Sequence, residues 1–395
     1  MRHGNGEFVT LMALMISLVA LSIDAMLPAL GQIATDLGVR NANDRQLVIS
    51  VLFLGLAFGQ LIYGPVSDSV GRKPPIYVGF VIFMLGCVIS IFAATFTTML
   101  VGRFLQGVGA AGPRIVTIAL VRDQYEGNDM AKIMSLIMAV FILVPAIAPS
   151  IGQGILLVAH WRVIFVVFFA LAVIALLWFA ARQPETLSAR KRRPFSLSQL
   201  SSAVYETCTN RIAICYTIAA GLIFGAFVGY LTTAQQIFQE QYDLGKQFPL
   251  YFAVLALVIG AASYVNSHYV KRYGMKRLSW MALTFLTAVS LFFVFFAYVY
   301  SGYPPLWLLM AYLCLIFFAV GILFGNFNAM AMEPLGHIAG LAAAVIATFT
   351  TLISLLFGVV IGQAYNQTVM PLVIGFAVLG VLSVGVFLIA EKGKV

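Results

Sequence analysis

Runs of some twenty predominantly apolar residues follow one another twelve times along the chain, and that recurrence constrains the fold more than any other feature. A helix needs about 20 such residues to cross the hydrocarbon of a bilayer. The runs lie at roughly 8–33, 46–66, 75–95, 98–121, 131–156 and 161–181, then at roughly 212–236, 248–269, 278–300, 305–328, 338–363 and 369–390. Composition agrees. Of 395 residues, 62% are hydrophobic and 9% charged, against about 25% charged in an ordinary soluble domain, and the mean hydropathy is +1.00. The 14 acids and 23 bases do not cover a soluble surface of this size. The expected fold is an all-α membrane protein of twelve transmembrane helices in two six-helix halves.

The longest polar break, RQPETLSARKRRPFSLSQLSS at 182–202, separates the sixth run from the seventh. It divides the chain into an N-terminal half (1–185), a cytoplasmic linker (186–210) and a C-terminal half (211–395). This is the parallel-repeat layout of many transporters. The N-terminus has the basic start and apolar run of a signal peptide. That run is long, contains Asp24 and lacks a small-x-small cleavage site, so it is read as a retained first span.

The net charge is +9. With both termini cytoplasmic, 17 of the 23 bases fall on the cytoplasmic side, including Arg2, Arg193 and Lys394 at or between the halves. Four fall outside (Arg40, Arg45, Arg162, Lys246), and Arg103 and Arg114 lie within span four. This is the positive-inside bias of a multi-pass membrane protein, and it explains the charge with no nucleic-acid partner. The four cysteines (Cys87, Cys208, Cys215, Cys314) form no C-x-x-C pair, and the four histidines (His3, His160, His268, His337) are scattered, so no metal or cofactor is expected. With no H-E-x-x-H, G-x-S-x-G or Walker A sequence, a membrane enzyme or an ATP-driven pump is disfavoured.

Between spans two and three lies GPVSDSVGRK, residues 64–73. A tight turn needs glycine where the backbone bends, and Asp68 with the Arg72–Lys73 pair can bond neighbouring helix ends. The pattern G-x-x-x-D-x-x-G-R-K resembles the signature of the major facilitator superfamily. RFLQGVGAAG in span four resembles that superfamily's span-four motif, and VPAIAPSIGQG at 144–154 and HWRVIF at 160–165 resemble motifs of its drug/proton antiporter branch. With DAMLPAL in span one and GPRIVTIALVRD in span four, the chain resembles the Bcr/CflA subfamily of drug-resistance exporters. The resemblance implies the major facilitator fold and a conformational latch of Gly64, Asp68, Gly71, Arg72 and Lys73, with Arg72 pairing Asp123 and Asp68 meeting the start of span eleven. It also implies an antiporter hinge at Pro145, Pro149, Gly152 and Gly154, where a glycine pair is split by Gln153. A kinked packing helix is the plainer account of the same residues. The second half carries only YVKRYGMKR at 269–277, which keeps a glycine and bases but lacks the aspartate.

Three ionisable groups sit deep in the spans: Asp24, Arg103 and Arg114. Each costs about 2.5–3.5 kcal/mol at a helix centre, so such groups face a protein interior or a water cavity. At 1.5 Å of rise per residue, Asp24 and Arg103 differ by only about 5 Å in depth. Asp24 is assigned proton coupling, against a static salt bridge or a partner of the kink at Pro28, and Arg103 is its coupling partner or a structural brace. Arg114 pairs with Asp123 or attracts an anionic substrate; the sequence does not choose. Gln60, Tyr63, Arg114, Gln106, Phe224, Phe227, Tyr230, Gln235, Asn326 and Asn328 are candidates for the lining of a substrate cavity, although any single aromatic is more often packing.

The expected function is a proton-coupled secondary transporter that exports drugs or small organic metabolites by alternating access. The alternatives are an importer or a dedicated transporter of a metabolite such as a siderophore or sugar, with a passive channel behind them. The expected partners are a small-molecule substrate, protons and the lipid bilayer, with the chain acting as a monomer.

Overall fold

The computed structural model of the chain describes residues 5–192 and 194–392. Arg2, Arg193 and Lys394, counted above among the cytoplasmic bases, and His3 lie outside the described residues. Among the described residues there is no strand. The α-helices in chain order are α1 (Asn5–Asp24), α2 (Leu30–Asp36), α3 (Leu47–Val70), α4 (Lys73–Ile91), α5 (Phe96–Gln124), α6 (Gly127–Val158) and α7 (Arg162–Arg182), then α8 (Leu197–Thr209), α9 (Arg211–Gln235), α10 (Phe248–Tyr273), α11 (Met275–Val299), α12 (Leu306–Met332), α13 (Ala339–Gln363) and α14 (Met370–Glu391).

Eleven stretches of the described residues are long and apolar enough to cross a membrane, and one of them, Leu306–Gln363, holds both α12 and α13. Counted by helix, the twelve expected spans are present, the first being α1 and α2 in series. The polar linker is not featureless: it contains α8. The π-helical turn Gln236–Gln241 extends α9.

Local chemistry explains the breaks. Proline 28 has no N–H to give to the carbonyl of Asp24, four residues back, so the α-helical ladder stops there. The chain continues through a 3₁₀ turn at Leu27–Ala29 before α2 starts. Thr95 caps α5 by accepting from the N–H of Thr98 at 3.2 Å, and Asn210 caps α9 by accepting from Ile212 and Ala213, both at 3.1 Å. Gly71 (φ +107°) and Gly274 (φ +78°) make the turns before α4 and α11 in backbone conformations that side chains resist.

Two compact units result. The first takes in the described residues of Met1–Arg40 together with Val51–Leu200. In it α4 packs chiefly on α5 and α7, and α1 on α6 and α5. The approach is close because α5 is glycine-rich: a Cβ at Gly107 would run into the Leu52 carbonyl of α3, and one at Gly109 into the Phe83 backbone of α4. The second unit takes in Asn41–Ser50 and the described residues of Ser201–Val395. Here α9 packs on α13, α14 and α12, α12 packs on α10 and α11, and α11 packs on α14.

Candidate functional site

In the first unit, Asp24 is the last residue of α1 and 5% exposed. Its carboxylate makes no hydrogen bond or ion pair among the described residues. The helix break beside it is packed by α6: a Cβ on Gly152 would collide with the carbonyl of Ala25. Pro145 and Pro149 lie inside α6, which runs through both as one helix. Gly154 differs from Gly152 in having nothing within 4 Å of where its Cβ would stand.

Arg103, fully buried on α5, does not bond Asp24. It donates through Nη2 to the carbonyl oxygen of Ser22 at 2.7 Å and through Nη1 to Gln106 Oε1 at 2.7 Å. Gln106 passes the chain on, its Nε2 donating to Ser90 Oγ at 3.0 Å. The guanidinium also lies 5.9 Å from the centre of the Phe165 ring. A buried cation is thereby tied to the backbone of α1 two residues before the carboxylate, and charge-assisted bonds of this kind are the stronger class. Gln106, placed above among cavity residues, is committed to this network. Arg114 lies about three turns further along α5, so it shares a face with Arg103. It is half-buried and forms no ion pair among the described residues. The pairing of Arg114 with Asp123 is not formed, because Asp123 is engaged elsewhere.

That engagement is the turn at 64–73. Arg72, 3% exposed, donates from Nε to Asp123 Oδ2 at 2.7 Å and from Nη1 to Asp68 Oδ1 at 2.5 Å and Ser67 Oγ at 3.0 Å. Burial alone would lower the pKa of this guanidinium; the bonds to Asp123 and Asp68 outweigh it and hold it above its ordinary value. Lys73 Nζ donates to the Gln183 carbonyl at 2.7 Å. Asp68 is thus engaged by Arg72 across one helical turn. Gly64 lends its carbonyl to Ser67 Oγ at 2.8 Å.

The sequence reading missed the residue that closes this cluster. Glu185, just past α7, accepts the N–H of Arg72 at 2.9 Å, of Lys73 at 3.0 Å and of Leu187 at 2.9 Å. Burial would raise its pKa, but these backbone donors more than reverse that and hold it below the usual carboxylate range. A Cβ at Gly71 would stand 2.6 Å from Glu185 Oε2, so the glycine serves both the positive φ and the carboxylate's approach. The one signal available was an acid directly after the basic end of span six.

In the second unit, Phe224, Phe227 and Tyr230 of α9 form one aromatic cluster. Phe224 stacks on Phe227 at 5.5 Å, and Tyr230 meets Phe317 edge-on at 4.7 Å and stacks on Phe252 at 5.9 Å. Tyr230 is 1% exposed and belongs to the packing; Phe224 and Phe227 are half-buried. Asn326 exchanges reciprocal amide bonds with Asn266 at 2.9 and 3.0 Å. Asn328 donates to the Phe324 carbonyl at 2.8 Å, the ordinary back-bond of a helix. In the first unit, Gln60 and Tyr63 are buried on α3, the Tyr63 ring lying against Gly112 of α5.

The second unit also holds a polar network that the sequence did not announce. Arg45, read above only as an outer base, grips Glu240 with both ends of its guanidinium at 2.5 and 2.8 Å. Gln46 Nε2 donates to Gln236 Oε1 at 2.5 Å, and Gln236 Nε2 donates to Asn43 Oδ1 at 2.9 Å. Gln235 Nε2 donates to Glu240 Oε1 at 3.2 Å. The wide π-turn of 236–241 presents Gln236 and Glu240 together, and such turns mark functional positions more often than chance.

A family model described as Major Facilitator Superfamily matches residues 12–358. The chain is 27% identical over 381 residues to the "bicyclomycin resistance protein homolog" of Haemophilus influenzae, covering 95% of this chain and 94% of that one. It is 33% identical over 246 residues to "multidrug resistance protein MdtL" of Salmonella heidelberg, covering 62% of this chain and 60% of that one. Among solved structures, a D-xylose-proton symporter matches with a TM-score of 0.75 at 14% identity over 97% of each chain, a likeness of fold. Twelve apolar helices, the 64–73 turn closed on Asp123, and a family match spanning most of the sequence lead to one conclusion: the chain belongs to the major facilitator superfamily.

Proposed function

We propose that the protein is a proton-coupled exporter of drugs or small organic metabolites, of the Bcr/CflA kind, working by alternating access in the bacterial inner membrane with both termini cytoplasmic. The printed names of the two relatives support a drug-resistance role. The observation that carries proton coupling is Asp24: a carboxylate 5% exposed, at a proline-induced break in α1, with no counter-ion bonded to it.

An ionised carboxylate without a partner is costly in hydrocarbon. A state that admits water to Asp24 releases the proton more readily than one that shuts water out. The break at Ala25 lies under Gly152 of α6, so a shift of α6 moves the backbone that carries the carboxylate. Arg103 acts one step back. By holding Ser22 O it fixes the end of α1 and keeps a cation near without neutralising Asp24. Each proton moving inward down 100 mV yields about 2.3 kcal/mol to drive a substrate outward. In this reading the turn at 64–73 is the conformational latch and α6 the antiporter hinge.

The test is transport into everted membrane vesicles. Asp24→Asn is expected to insert and fold normally, yet to lose transport driven by a pH gradient. Undiminished gradient-driven transport by that variant would remove Asp24 as the proton carrier. Uptake in the opposite direction by the unaltered protein would replace export with import.

A further inference from the structure

Helices α10 and α11 turn back on each other at Gly274, and both then pack on α12 while hardly touching one another. A cavity of about 300 Å³ remains between them. Val265, Leu278, Met281 and Ile322 give it an apolar lining, and Tyr273 and Arg277 stand at the end next to the turn. Asn266 also borders it, but its amide is taken up by Asn326.

The turn is basic, with Lys271, Arg272, Lys276 and Arg277 within seven residues. Lys276 is paired with Glu391 at 3.2 Å. Arg272 and Arg277 flank the Tyr273 ring at 5.4 and 5.9 Å, and neither has a carboxylate partner among the described residues. The first N–H groups of α11 have no side-chain cap, since Gly274 has no side chain to offer. In the corresponding turn of the first unit, Arg72 is fully engaged by Asp68 and Asp123. The second turn keeps the glycine and the bases without the acids.

We propose that this cavity binds an anionic phospholipid from the leaflet on the basic side of the protein. Arg277 and the uncapped start of α11 hold the phosphate, and one acyl chain lies along Val265, Leu278, Met281 and Ile322. Tyr273 sits at the level of the headgroup, where amphipathic rings are favoured. Basic pockets between spanning helices on the cytoplasmic side suit acidic headgroups, and the positive-inside reading puts this one there.

The experiment is native mass spectrometry of the full chain released from bilayers of phosphatidylcholine mixed with phosphatidylglycerol. The unaltered protein is expected to retain phosphatidylglycerol preferentially. Arg277→Gln should lower that retention about fivefold, the effect of losing one interfacial base. Met281→Trp fills the cavity without changing charge and should lower it as well; Lys271→Gln, on the same turn but off the cavity, should leave it unchanged. An equal loss in Lys271→Gln would reduce the effect to general basic attraction and overturn the site. So would complete displacement of the lipid by soluble glycerol phosphate, which would show that the chain contributes nothing.

Discussion

At Gly152 the space a methyl group would need is already filled by the carbonyl of Ala25, whereas the same methyl at Gly154 would meet nothing within 4 Å. Gly152→Ala must therefore push α6 away from the break that carries Asp24, while Gly154→Ala leaves the packing alone. Replacing glycine by alanine in a helix stabilises it by roughly 0.5–1 kcal/mol where there is room. Gly154→Ala is thus expected to raise the melting temperature slightly and keep transport. Gly152→Ala is expected to lower the melting temperature by several degrees and impair gradient-driven transport more than tenfold. Thermal melts and vesicle transport on the two variants check this; equal behaviour of the pair would separate α6 from the coupling step. From the sequence the two glycines looked alike, because spacing along a helix does not say which face has a neighbour's backbone against it. The same limit applies to Arg103. Its depth put it level with Asp24, but which oxygen it would take, Ser22 O and not the carboxylate, depended on rotamers that depth does not fix.

At the scale of elements, the turn joining α3 to α4 is held from three sides: Asp68 on its own helix, Asp123 at the end of α5, and Glu185 just beyond α7. The turn itself was legible, since glycine, aspartate and the basic pair sit in ten consecutive residues. Glu185 was not, because it meets Arg72 from 113 residues away and bonds backbone N–H groups that any sequence would present. Glu185→Gln keeps the shape, removes the charge, and leaves one amide donor facing backbone donors. It is expected to cost about 1–3 kcal/mol of local stability, the usual loss for a bond to a charged group, read as faster amide exchange at Arg72 and Lys73. The pH dependence has a definite sign. Glu185 is held below the ordinary carboxylate range in the folded protein, so its contribution is present above the unfolded pKa of about 4.3 and is lost as pH falls through the lower folded value. Protection factors at residues 72 and 73, which divide out the intrinsic slowing of exchange by acid, should therefore fall on acidification in the unaltered protein and respond much less in Glu185→Gln. The same acid response in both would show that another group sets it.

For the whole molecule, the twelve spans were readable because a bilayer leaves the backbone few choices: every peptide group must be bonded internally, and only a helix of about 20 apolar residues does this in one pass. What hydropathy does not contain is how polar residues regroup once helices pack. The Arg45–Glu240 pair lies 195 residues apart and draws Asn41–Ser50 into the second unit. Hydropathy is also silent on sidedness; that comes from the bases. Seventeen of the 23 fall on one side if the termini are cytoplasmic, against four on the other. An even number of crossings puts both termini on the same side, so one determination at the C-terminus fixes the orientation of every loop. Alkaline phosphatase, which is active only outside the cytoplasm, should be inactive when fused after Lys392 and active when inserted beside Lys246, between α9 and α10; a folding-dependent fluorescent protein should show the converse. Activity at the C-terminus would reverse the orientation. It would put the 64–73 turn and the basic α10–α11 turn on the outer face, and with them both the latch and the lipid cavity in the wrong leaflet for the roles proposed. The charge bias makes the cytoplasmic outcome the expected one, because translocating the seventeen-base side would oppose the membrane potential at each short basic loop.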